Sequence, residues 1–130
     1  MGLEHSEISE KIIGSSFEVL NELGCGFLEN VYKQALAIVM SEKGLKVLVE
    51  QPFEVKFRES VIGNYVADLI VENLFVVELK HCKTLLSEHQ AQLINYLKAS
   101  NLPHGLLINF GNAKLEYKRL YHPDKFALHI

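Results

Sequence analysis

The sequence predicts an α/β protein. A mixed β-sheet, made of an antiparallel meander plus one parallel strand after a crossover helix, is flanked by helices. Three observations lead there. Apolar residues recur at helical spacing over the first third of the chain; the period then changes to two between residues 45 and 80; a further helical stretch precedes one short apolar run. A helix between two strands of one sheet is a crossover, so that last run is expected to lie parallel to a strand of the meander. At 130 residues, the chain is expected to form one domain over 1–130. That length supports a hydrophobic core without staples.

Ile8, Ile12, Val19, Leu20 and Leu23 mark a first helix over 6–23, with Ser6 available as its N-cap. Gly24-Cys25-Gly26 breaks the pattern. A second helix, over about 28–43, carries the stripe Leu28, Val31, Tyr32, Ala35, Leu36, Val39 and Met40, and Gly44 suits its end. Strands are read at 45–50, 53–58, 64–71 and 74–80, with Pro52, Glu59-Ser60 and Glu72-Asn73 as separators. Ser87 is expected to cap a third helix through about residue 99. The run after Gly105, LLINF, is nearly all apolar, as in a central strand covered on both faces. Residues 114–121 read as an edge strand.

The composition, 48% apolar and 22% charged, is that of an ordinary globular chain. No apolar run is long enough to cross a bilayer. MGLEHSEISEK lacks the basic and apolar regions of a signal peptide. Met1-Gly2 with Ser6 only superficially matches a myristoylation start, because one acyl chain beside acidic residues anchors weakly. Cys25 and Cys82 lie outside any CxxC, which argues against zinc and for a reduced, cytoplasmic protein. A net charge of -3 argues against a chain dominated by duplex DNA binding. Any nucleic-acid contact must then be local, brief or made by a dimer surface, and a homodimer is left open.

The stretch from Ala67 to Lys80, ADLIVENLFVVELK, reads as a buried hairpin that nonetheless carries Asp68, Glu78 and Lys80. A solvent-facing stripe is the ordinary explanation for Glu78 and Lys80, which project from one face. Their apolar company makes such charges expensive, and two acids side by side repel unless a cation or proton lies between them. Mg²⁺ or Mn²⁺ favours such carboxylate oxygens, and a lysine beside them can hold a water or neutralise a phosphoryl oxygen. The set suits metal-assisted phosphodiester hydrolysis on one geometric condition. If Val71 pairs with Leu74, the two acids point to opposite faces; if Val71 pairs with Phe75, Asp68 falls opposite Glu78 on one face. The second register is predicted.

Asp68 with Glu78-Leu79-Lys80 resembles the PD-(D/E)XK nuclease signature, and the element order resembles the restriction-endonuclease-like fold. Gly26-Phe27-Leu28-Glu29-Asn30-Val31-Tyr32 spells GxxExxY, the name of a small family placed in that superfamily. The resemblance continues through Tyr65-x-Ala67-Asp68, His89-x-Ala91-Gln92-Leu93-x-Asn95-Tyr96-Leu97 and residues 105–111, and covers nearly the whole chain. It departs at Leu20, where family members often have His, and at Cys25, where they often have Pro. The resemblance implies that Asp68 and Glu78 bind Mg²⁺ or Mn²⁺, with the Leu79 carbonyl as a further ligand, and that Lys80 assists the attacking water. It also points to Glu29 as an additional acid, and to Gln92 and Tyr96 as residues lining the site.

Each supporting residue has a plainer explanation. Glu29 suits the first turn of a helix electrostatically. Tyr32 shares its face and is favoured as a core ring over a partner for Glu29. His89, Gln92 and Tyr96 form a polar stripe that a solvated helix face would also explain. His81 alternates to the opposite face from Lys80; Gly105 to Gly111 is mainly structural, although Asn109 could reach the site from a strand end. Lys83, Lys98, Lys114, Lys118, Arg119 and Lys125 are scattered, so solvated surface is their default and a weak phosphate track the alternative. Three functions are therefore weighed: a metal-dependent nuclease acting on DNA or RNA, a catalytically weak or inactive nuclease-fold module that binds or assembles with partners, and a hydrolase of a small phosphorylated metabolite. The third has no Gly-rich phosphate loop to support it.

Overall fold

The computed structural model describes residues 5–124. Three helices, α1 (His5–Leu23), α2 (Glu29–Glu42) and α3 (Ser87–Ser100), flank strands β1 (Val47–Phe57), β2 (Ser60–Val71), β3 (Phe75–Lys80), β4 (His104–Asn109) and β5 (Glu116–Tyr121). The strands lie in the sheet in chain order, with β3 and β4 parallel and every other neighbouring pair antiparallel. This is the mixed, helix-flanked sheet expected from the sequence.

The sheet separates two apolar layers. Leu69, Val71, Phe75, Val77, Leu79, Leu106 and Ile108 pack with Ile8, Ile12, Val19, Tyr32, Leu36 and Met40 of α1 and α2. Ile70, Val76 and Leu107, from the alternate positions, pack with Leu93 and Leu97 of α3. Every residue of β4 is buried, polar His104 and Asn109 at its ends included, as in a strand covered on both faces.

Several boundaries differ from the sequence reading. The stretches 45–50 and 53–58 are one strand, because β1 is an edge strand and Pro52 can face outward there without losing a ladder bond. Ser6 is not an N-cap: α1 is already helical at His5, and the Ser6 carbonyl accepts the Ser9 hydroxyl at 3.0 Å. Leu86, not Ser87, is the N-cap of α3. Gly44 does end α2, with the left-handed φ of 84° that glycine tolerates. The Met1-Gly2 start and Lys125 lie outside the described residues.

One irregularity positions the site. Along inner β2, Leu69 and Val71 face α1 and α2, yet Ala67 and Tyr65 pack in the α3 layer. The in–out alternation slips between Ala67 and Leu69. On β1 the residue between the pairs Val49–Leu69 and Gln51–Ala67 is Glu50, which has φ 54° and no ladder partner. Asp68 stands opposite it. Beyond this point β2 has left β3, whose pairing with it covers only Leu69 to Val71. The outer part of the β1–β2 hairpin continues as a two-stranded ribbon.

Candidate active site

The hairpin register is Val71 with Phe75, Ile70 with Val76 and Leu69 with Val77. The β2–β3 loop has three residues, with Glu72 and Asn73 at φ 54° and 53°, and the Leu74 N–H donates to the Val71 carbonyl. Extending the register sets Asp68 opposite Glu78, as the same-face condition demands. No backbone pair forms between them. Instead the Asp68 N–H donates to Glu78 Oε2 at 2.8 Å, and the Leu79 N–H donates to Asp68 Oδ2 at 2.8 Å. Each carboxylate replaces a missing ladder bond with one oxygen and keeps its other oxygen for a further partner.

The two acids occupy different surroundings. Asp68 is half-buried, whereas Glu78 is 8% exposed. Burial, and then the neighbouring Asp68 charge, push the Glu78 carboxyl up to about 8, against the opposing Asp68 N–H bond and the Lys80 and Lys33 charges. A buried acid held this far above its ordinary value is short of positive charge. Two carboxylate oxygens that no backbone N–H occupies, at the end of a buried strand pair, make a hard-oxygen donor set, which fits Mg²⁺ or Mn²⁺. No cluster of three or more His, Cys, Asp or Glu side chains suited to a metal forms among the described residues.

Lys80 ends β3, and its Nζ lies 3.5 Å from Gln92 Oε1 on α3. One turn further on, the Tyr96 phenol is raised by burial and then by the charges of Glu78 and Asp68. The Tyr96 ring stacks on Tyr65 at 4.0 Å between centroids. Burial, chiefly, pushes the Tyr65 phenol up to about 12. Asp68, Glu78, Lys80, Gln92 and Tyr96 thus form one continuous cluster on the α3 side of the sheet.

Three other expected residues have separate positions. Glu29 is exposed in the first turn of α2. Tyr32 is fully buried: its ring stacks on Phe110 at 4.7 Å, and its hydroxyl donates to the Gly24 carbonyl and accepts the Phe27 N–H. It fastens the α1–α2 turn. His89 Nδ1 accepts the Leu86 N–H at 3.0 Å, closing the start of α3. Asn109 is structural, since its side chain bonds both the N–H and the carbonyl of Cys82, the Gly111 N–H and Glu116.

Two residues at the site escaped the sequence reading. Lys33 of α2 lies 3.0 Å from Glu50 Oε1 and 3.6 Å from Asp68 Oδ1, with its side chain only 12% exposed. Burial alone would lower its ammonium, but the hydrogen bond to Glu50 and the charges of Asp68 and Glu50 carry it above the ordinary value. The one available signal was spacing: Lys33 follows Glu29 by one helical turn and shares its face. Glu50 gave no signal, because nothing in a glutamate announces a left-handed φ.

No curated protein sequence matches the chain. Among solved structures, the crystal structure of SSO0001 is similar, with 15% identity and a TM-score of 0.46 over 93% of this chain and 74% of that one. The model of the PD-(D/E)XK nuclease superfamily matches residues 6–120. With that match across the helix–meander–helix–strand core, and with Asp68, Glu78 and Lys80 meeting on one face, the chain belongs to the PD-(D/E)XK nuclease superfamily.

Proposed function

We propose that this protein is a Mg²⁺- or Mn²⁺-dependent nuclease of the GxxExxY group that hydrolyses nucleic-acid phosphodiester bonds. The observation that supports it most is the Asp68–Glu78 pair: two acids on one face, each with one oxygen fixed by a backbone N–H and the other not committed to the backbone. Asp68 and Glu78 would hold the ion, with the Leu79 carbonyl beside them. The ion, when bound, would polarise a phosphoryl oxygen and acidify water. Lys80, steadied by Gln92, would orient the attacking water and offset charge developing on the phosphoryl group. Tyr96 and Tyr65 back that face. The fork where β2 parts from central β3 leaves Asp68 and Lys80 partly exposed, which suits a polymer substrate.

The test is a panel of single- and double-stranded DNA and RNA incubated with Mn²⁺ or Mg²⁺. Asp68→Asn retains an oxygen for the Leu79 N–H, so it should fold and yet cleave at least 100-fold more slowly; Lys80→Ala should lose about 10²-fold or more. Cleavage that ignores both substitutions would come from a contaminant, and the reading would fall. A second reading, a binding or assembly module, draws on the exposed apolar residues Phe57, Val61, Ile62 and Val66 of the outer ribbon. Stable protein association without calorimetric binding of Mn²⁺ would favour it.

A further inference from the structure

Lys33 raises a question that the acid pair alone does not answer. Its ammonium touches two carboxylates unequally, Glu50 at 3.0 Å and Asp68 at 3.6 Å. Glu50 is the more exposed partner, with 56% of its side chain accessible against 23% for Asp68. The atom contacted on Asp68 is Oδ1, and the other oxygen, Oδ2, is committed to the Leu79 N–H. The oxygen left to Asp68 for an ion is therefore the oxygen that Lys33 faces. A lysine this desolvated is costly unless paired, and Glu50 is present to pair it because its left-handed backbone takes it out of the β1 ladder.

We propose that Lys33 is a tethered counterion that competes with the divalent ion for Asp68 Oδ1 and withdraws onto Glu50 when the ion enters. The inference rests on the reading of Asp68 and Glu78 as ion-binding acids, and it concerns how that site is guarded. In the metal-free protein, Lys33 supplies positive charge to an otherwise crowded set of acids. On ion entry, its shorter contact to Glu50 gives it a place to remain paired, so vacating Asp68 does not strand a buried charge. Glu50 is thus a positioning residue for Lys33 and not itself an ion ligand.

The experiment is calorimetric titration of Mn²⁺ alone, without substrate, into wild type, Lys33→Met, the double variant Lys33→Met/Glu50→Gln, and Asp68→Asn. Lys33→Met should bind Mn²⁺ about three- to tenfold more tightly, as expected for removing one positive charge beside a divalent ion. That variant alone would not separate competition from a change in local charge, and it leaves two acids uncompensated. The double variant decides: it removes one charge of each sign, keeps the local net charge and leaves only Asp68, the acid meant for the ion, without its cation. It should still bind at least threefold more tightly than wild type. Equal affinity would overturn the competition while leaving the ion site standing, provided Asp68→Asn abolishes binding. Weaker binding in the double variant would make Glu50 a ligand, which also overturns it. No binding in any variant would remove the ion site itself and the counterion role with it.

Discussion

Glu78 shows what a single buried carboxyl does to the molecule. In an unfolded chain it ionises near 4.5, whereas in the folded protein it does so near 8. Between those values the native state keeps a proton that the unfolded state has released. Stability must therefore fall as pH rises through this window and level off above it. Urea unfolding of the metal-free protein at a series of pH values should show that decline. Glu78→Gln should flatten it, with a gain over wild type of a few kcal/mol above pH 8 that vanishes below about pH 4.5. The same proton opposes cation binding, so Mn²⁺ affinity should climb with pH up to about 8. The juxtaposition of Asp68 and Glu78 could be read from the sequence because charge is conspicuous among valines and leucines. Lys33 could not, since a helical lysine ordinarily points to water, and only the fold buries it beside Asp68.

Among the elements, the β2–β3 hairpin was the most legible, because a shift by one residue would put Asp68 and Glu78 on opposite faces. The polar stripe of α3 was legible too, although His89 serves the helix start while Gln92 and Tyr96 reach the acid cluster. Strand ends were less so: Pro52 reads as a break, yet an edge position lets β1 run through it. The β3–α3 segment is held to β4 by the Asn109 side chain and by close approach at Gly111. A Cβ at Gly111 would stand 2.4 Å from the Cys82 carbonyl oxygen and 2.5 Å from its nitrogen, both backbone atoms that cannot swing aside. Gly111→Ala should therefore cost more than about 2 kcal/mol in urea unfolding. A cost below 0.5 kcal/mol would mean that this segment yields easily, and that Lys80 is not held from behind.

At the scale of the whole molecule, a net charge of -3 leaves little long-range attraction for a polyanion. Lys33 and Lys80 are the cations at the acids themselves. Lys83 and Lys114 border an open depression beside the segment that follows Lys80. Binding of nucleic acid by the Asp68→Asn protein should accordingly depend only weakly on salt. Replacing both lysines with alanine should reduce the slope of log K against log salt by about 1–2, measured by fluorescence anisotropy. The overall architecture followed from periodicity, since the change from a helical repeat to a period of two, and back, outlines the layers. What periodicity does not encode is the slip at Glu50 and Asp68, where the outer ribbon exchanges its faces.

That slip has a mechanical corollary. From Gln51 to Phe57 the ribbon extends about seven residues beyond it, roughly 20 Å at about 3.3 Å per residue. Asp68 sits at the fulcrum of this arm. The arm is braced close to that fulcrum, where the Tyr65 ring stacks on Tyr96 and its hydroxyl donates to the Tyr96 carbonyl, so a load on the exposed tip at Phe57–Ile62 meets α3 before it meets the carboxylate.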